Sequence, residues 1–220
     1  MIALLAAATL LAAPPALAPA TVLAKYRAAL ASVREPRTFA LSYTLEQTGT
    51  RSLEQTHHIF RSGGDERDEV VAVNGTKATQ PEVRIFHGRP YRYAVSRLAP
   101  RAGAYAFDYV GPRKDGHHVD YVFTLTPLHP GAIMFTTVTI DGLTFLPTAV
   151  TFVSGHDGHG RVTFGKSGEY WVAMSAEASA QAADGEAHEQ LTFGNWHFID
   201  ALPRSTFAVA RPLPSIEPAL

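Results

Sequence analysis

The sequence predicts a mainly β protein, a long antiparallel meander curled into an unclosed half-barrel and preceded by an N-terminal amphipathic helix. Three observations predict it. Apolar residues recur with period two from Thr38 almost to the end of the chain, as in Phe39, Leu41, Tyr43 and Leu45. The alternating runs are separated by short turn signals, among them Gly63-Gly64, Asn74-Gly75, Asp115-Gly116, Pro130-Gly131, Asp141-Gly142, Asp157-Gly158 and Lys166-Ser167-Gly168. Only one stretch carries a good helical period. Strands joined by such short turns must be antiparallel, because parallel neighbours need long crossovers.

Taken in order, the chain opens with an apolar run from Ile2 to Ala13. It is too short for a membrane-spanning helix, which needs about 20 residues. It has the length of a secretory core region, and the small residues after it suit a cut following Ala20, within Ala18-Pro19-Ala20. No Lys or Arg precedes this run. Residues 1–20 are therefore expected to be a signal peptide, 21–207 a single domain, and 208–220 a Pro-rich flexible tail.

"TVLAKYRAALASVREP" follows, with Val22, Leu23, Tyr26, Leu30 and Val33 on one helical face. Thr21 is placed to cap its start, and Glu35-Pro36 ends it. The strands expected after it are "TFALSYTLEQTG", "EQTHHIFRS", "RDEVVAVN", "VRIFHG", "PYRYAV", "AYAFDYV", "VDYVFTLTP", "AIMFTTVTID", "LPTAVTFVS", "GRVTFG", "EYWVAMSAEAS" and "HEQLTFGNWHFID". Many are apolar on one face only, and a sheet of this size cannot leave that face in water. It must curl, with the single helix filling part of the concave side and leaving an apolar cavity.

Composition limits the partners. The net charge is −1, without a basic run, which argues against nucleic acid and against a polybasic membrane patch. Cysteine is absent, so there is neither a disulfide staple nor a lipid-bearing cysteine. Neither Gly-x-Ser-x-Gly nor Ser-x-x-Lys occurs. "FGKSG" lacks the spacing of a phosphate loop, and "RSGGDERDE" reads as a charged hairpin. Asn74-Gly75-Thr76 matches a glycosylation acceptor but reads better as a hairpin turn.

"SGHDGHGR" puts His156, Asp157 and His159 at a hairpin tip, where no supported set of zinc ligands converges. Neighbours on a strand face opposite ways, so neither His57-His58 nor His117-His118 chelates through both rings. No metal, cofactor or catalytic residue is expected. The alternating aromatics, Tyr91 with Tyr93, Tyr105 with Phe107 and Tyr109, and Trp196 with Phe198, suit either a sheet core or an apolar binding wall.

Several stretches together resemble a family. They are "LAKYRAALASV", "FALSYTLEQTG", "YVFTLTPL", "TIDGLTFLPTAVTFVSGHDG" and "LTFGNWHFIDALPRSTF". The chain resembles the outer-membrane lipoprotein-sorting (LolA/LolB-like) superfamily of bacterial envelope proteins. Leu125-Thr126-Pro127, Asp141, Leu146-Pro147, Asp157 to Gly160 and Pro203 to Phe207 stand where that family places its turns. The resemblance implies a periplasmic, non-catalytic carrier holding lipid or lipoprotein acyl chains on the concave face. It also implies contacts with inner- or outer-membrane partner proteins.

The absence of cysteine puts the chain nearer the family's soluble carrier than its anchored receptor. Arg51 and Arg61 lie near the place of the carrier's early-strand arginine, and "SRLAPRAGA" is the one stretch suited to a lid. The expected apolar wall is Phe39, Leu41, Tyr43, Tyr121, Phe123, Leu125, Phe152 and Phe164. The alternatives are an envelope module binding protein or peptide along a sheet edge, a lipid-sensing regulator of the same fold, and a metal-dependent enzyme using scattered histidines.

Overall fold

In the computed structural model, residues 17–208 are described except 116, 117, 156 and 184. The expected signal region up to residue 16, the tail from 209, His117 and His156 lie outside the described residues. A helix α1 (Pro19–Ser32) leads into strands β1 (Thr38–Gly49), β2 (Leu53–Ser62), β3 (Asp65–Val73) and β4 (Thr76–Phe86). A short helix α2 (Val95–Leu98) precedes β5 (Tyr105–Asp115), β6 (His118–Pro127), β7 (Ile133–Asp141) and β8 (Pro147–Ser154). The sheet is completed by β9 (Gly158–Ser167), β10 (Tyr170–Ala182) and β11 (Gly185–Phe198), with a 3-10 turn at Arg204–Phe207.

All eleven strands form one antiparallel sheet in the order β4-β3-β2-β1-β11-β10-β9-β8-β7-β6-β5. It is a half-barrel that does not close: β4 and β5, consecutive in the chain, are its two edges. Two of its hairpins use the expected turn chemistry, whereas after β7 the positive φ falls on Phe145 rather than on Asp141-Gly142. Asn74 (φ 48°) and Gly75 (φ 74°) supply the positive angles of a tight primed turn, and Asp157 (φ 54°) serves the β8–β9 turn. Register slips at Ala40/Ser42 of β1, Ala173/Ser175 of β10 and Tyr109/Gly111 of β5 add the local twist that curls the sheet. The β4 edge carries Pro81, and its register jumps from Val70–Glu82 to Ala72–Lys77, which blunts that edge against further pairing.

Two elements differ from the sequence reading. Helix α1 begins at Pro19 rather than beyond Thr21, and no side chain caps it. Proline suits the first helical position because that N–H has no helical partner anyway, so Thr21 falls inside the first turn. "PYRYAV" forms no strand: residues 90–94 are loop and turn, and α2 begins at Val95. Tyr91 and Tyr93 mimic period two, yet both pack down onto the sheet from above, Tyr91 on Phe39 and Tyr93 on Phe193. Among the described residues no helix is long and apolar enough to cross a membrane.

Candidate functional site

Cross-strand pairing defines one continuous inner face. Tyr109, Phe123, Val138, Val150, Val162, Ala176, Leu191 and Leu45 form a single row, each paired with the next on the neighbouring strand. The eight expected wall residues all fall on this face. Phe39, Leu41, Tyr121, Phe123, Leu125 and Phe164 are buried, while Tyr43 and Phe152 are half-buried. The face is thus packed, where sequence reasoning left it partly empty.

Two covers account for the burial. Helix α1 inserts Val22 and Tyr26, the latter with its ring 6.0 Å from that of Phe107. The segment 87–104 supplies Tyr91, Tyr93, Ala94, Val95 and Ala99, which pack into the same core. This second cover contains the stretch picked out as a candidate lid. The two covers are tied together: Tyr26 donates its hydroxyl hydrogen to the Pro100 carbonyl at 2.9 Å, and Ser96 N–H donates to Glu35 Oε1 at 2.9 Å. Glycine marks the point where the second cover leaves the sheet. Gly88 takes a φ of 65°, and a Cβ on Gly64 would come within 3.1 Å of the Gly88 Cα, so the chain crosses the β2–β3 turn in close contact.

Beneath this cover the inner face is polar in part, against expectation. "RSGGDERDE" is not simply a solvated hairpin, because Arg61 and Asp68 are buried among inner-face positions. Arg61 donates to Glu66 Oε2 at 2.7 Å and to the carbonyl of Arg89, and its guanidinium lies 5.5 Å from the Tyr91 ring centre. His57 Nδ1 is 2.7 Å from Asp68 Oδ1, and its ring stacks on Tyr43 at 4.3 Å. His58 points the other way and is exposed, as strand alternation requires. Two buried donors nearby, the Tyr91 hydroxyl and the Trp196 indole N–H, have no partner. Such orphans cost free energy, on the order of 1–3 kcal/mol each.

Burial also pushes the hydroxyls of Tyr26, Tyr43 and Tyr91 far above the ordinary tyrosine range, and raises Tyr93 as well. The sign follows from linkage: the folded state holds these groups neutral, so their contribution is constant below about pH 10 and is lost as pH rises beyond it. Urea unfolding midpoints are therefore expected to be flat from neutral pH to about 9 and to fall above 10. Phenolate absorbance should appear for these tyrosines only as the fold is lost.

A cavity of about 520 Å³ opens on the opposite face of the sheet. Glu46, Gln190, Glu177, Arg161 and Thr151 form one cross-strand row across it, and Thr48, His188, Ser179, His159 and Val153 form the next. Its lining residues are mostly hydrophilic, because outward positions of a curled sheet carry the hydrophilic half of the alternation. His159 of the "SGHDGHGR" turn is exposed at its margin.

No family model matches the chain, and no curated protein does either. Solved structures similar to it include a LolA superfamily protein from Nitrosomonas europaea, 13% identical over 88% of this chain and 99% of its own, with a TM-score of 0.46. A DUF1329 family protein from Desulfovibrio piger is 10% identical over 85% of this chain and 97% of its own, at 0.47. A putative outer membrane lipoprotein-sorting protein domain from Vibrio parahaemolyticus is 12% identical over 84% and 95%, at 0.45. Members of the family that the sequence resembles are among these structures. At such identities and TM-scores the likeness assigns neither family membership nor activity.

Proposed function

We propose that the chain is a non-catalytic carrier that holds a lipid or lipoprotein acyl chain against the inner face of its half-barrel, in the bacterial periplasm. The observation that carries this reading is the cover formed by residues 87–104. It rests on an aromatic floor and is tied down by polar contacts, Arg61 to the Arg89 carbonyl, Tyr26 of α1 to the Pro100 carbonyl and the Ser96 amide to Glu35, with two buried donors left unpaired, rather than by an unbroken apolar seam. A cover held in this way is a removable one, and its removal exposes Phe39, Tyr43, Phe193 and Trp196. Each acyl methylene placed there gains about 0.8 kcal/mol, so a long acyl chain offsets the burial that the cover gives up when it lifts. Export would follow from the apolar N-terminal run, with a cut after Ala20 that trims the first turn of α1 and keeps Val22 and Tyr26.

The test is uptake of a fluorescent fatty acid by the full chain. Saturable binding is expected, and Glu35→Ala, which removes the acceptor for Ser96 N–H, should raise the open population and the apparent affinity about fivefold. No uptake by either protein, or uptake indifferent to Glu35, would sink the reading. A second reading, a module that takes an extended peptide, is favoured by β5, an edge strand whose Val110 is 63% exposed.

A further inference from the structure

Away from the inner face, three ligand-type side chains converge at one end of β6 and β7. His118 and Asp120 stand two apart on β6 and face the same way, while Asp141 on β7 is the direct cross-strand partner of Asp120. His118 Nε2 lies 3.0 Å from Asp120 Oδ1 and 3.1 Å from Asp141 Oδ2. All three ligand atoms lie within 4.8 Å of one another. Both carboxylates are buried, at 8% and 6% exposure, and His118 is half-buried.

Carboxylates directly opposite each other on paired strands repel, and a buried charge must be neutralised. The remaining oxygens are already committed. Asp120 Oδ2 accepts from Arg113 at 3.0 Å. Asp141 Oδ1 accepts from the Leu143 and Thr144 amides and from the Thr144 hydroxyl, which fixes its rotamer within the β7–β8 turn. Among the described residues, Asp120 Oδ1 and Asp141 Oδ2 therefore share a single partner, one imidazole nitrogen, which carries at most one hydrogen. One anionic lone pair is left short.

A metal ion removes the shortfall. Around a cation with bonds of about 2.0–2.2 Å, ligand atoms stand about 3.0–3.5 Å apart, the spacing already present between His118 Nε2 and both carboxylate oxygens. We propose that His118, Asp120 and Asp141 form a three-ligand site for a first-row divalent cation, with the remaining coordination positions open to water. One imidazole and two carboxylates suit Zn²⁺ or Mn²⁺ better than Ca²⁺ or Mg²⁺, which favour sites built from oxygen alone. Arg113 and the amides of the β7–β8 turn act as the supporting shell that aims the carboxylates. The site would clamp β6 to β7 beside the open β5 edge, and it is independent of the acyl-binding reading.

The test uses the full chain without an affinity tag, freed of metal with a chelator and titrated separately with ZnCl₂ and MnCl₂ by calorimetry. One equivalent of at least one of them is expected to bind, with a dissociation constant of about micromolar order. His118→Gln and Asp141→Asn should each weaken it at least about tenfold. Asp141→Asn retains the Oδ1 acceptor for the turn, so it separates loss of a ligand from loss of the fold, which circular dichroism checks. His188→Gln, on the outer cavity, should change nothing. Absence of saturable binding, or equal affinity in His118→Gln, overturns the proposal.

Discussion

Replacing Arg61 by Ala is expected to cost about 3–5 kcal/mol of stability, one of the two largest single-residue effects in the fold. Arg61 is only 3% exposed, and removal of its guanidinium strands the Glu66 carboxylate, the Arg89 carbonyl and the face of Tyr91 together. Most of the penalty belongs to the charge left behind rather than to the pair itself. The double variant Arg61→Met, Glu66→Met should therefore recover most of the loss, since apolar replacement of a whole buried pair is often neutral. Urea unfolding curves of the two variants measure this directly. Because the double variant also drops the hold on Arg89, it should bind the fluorescent fatty acid more tightly than the unaltered chain while remaining folded. A single variant that loses less than about 1 kcal/mol would mean that water reaches the pair and that the cover does not seal it.

The second large effect is expected at Phe123. Its side chain has no exposed surface, lies 5.2 Å from the ring of Tyr109 and 6.1 Å from that of Phe107, and pairs across the strand with Val138. Phe123→Ala should cost about 3–5 kcal/mol, the range for a large ring removed from a packed core. Leu143→Ala, at a site 80% exposed, should stay within about 0.5 kcal/mol and serves as the control. The size of the Phe123 effect decides between two pictures of the inner face. A wall lining an open groove has solvent or ligand on one side, and truncation there costs little in the free protein. A wall sealed by α1 and the 87–104 cover pays both the transfer and the cavity term.

Period two, hairpin turn residues and a single amphipathic helix were sufficient to specify an antiparallel half-barrel, because each is a local signal. The inner face was legible for the same reason: alternation alone puts Phe39, Leu41 and Tyr43 on one face and Tyr121, Phe123 and Leu125 on one face. That the two triplets share the same face is set by register across many strands, which no local pattern records.

Of the cover, residues 96–104 were legible as the stretch suited to a lid, whereas residues 90–95 read as a strand because Tyr91 and Tyr93 alternate like one while packing onto another. The polar side of the inner face escaped notice for a related reason. Arg61, Glu66 and Asp68 read as hydrophilic and therefore solvated, until the fold pairs them with partners under the cover. Asp141 had been legible only as a turn residue, and its meeting with Asp120 depends on the β6–β7 register. The signal available in advance was His118-x-Asp120, a same-face pair on a strand with a third carboxylate due from a neighbour.

The placement of β1 has a temporal consequence. Its two neighbours are β2 and β11, so one half of its backbone hydrogen-bonding waits for the last of the described strands, with Phe39 opposite Phe198 and Tyr43 opposite Phe193. Until that strand has been synthesised, β1 and β10 are both raw edges and the apolar rows behind them have no seam. Folding with such sequence-distant closure is slow, on the order of milliseconds to seconds in small β domains. The molecule consequently passes from nascent chain to native sheet only after its final strand arrives, and until then it offers sticky borders that a holding chaperone would have to shield.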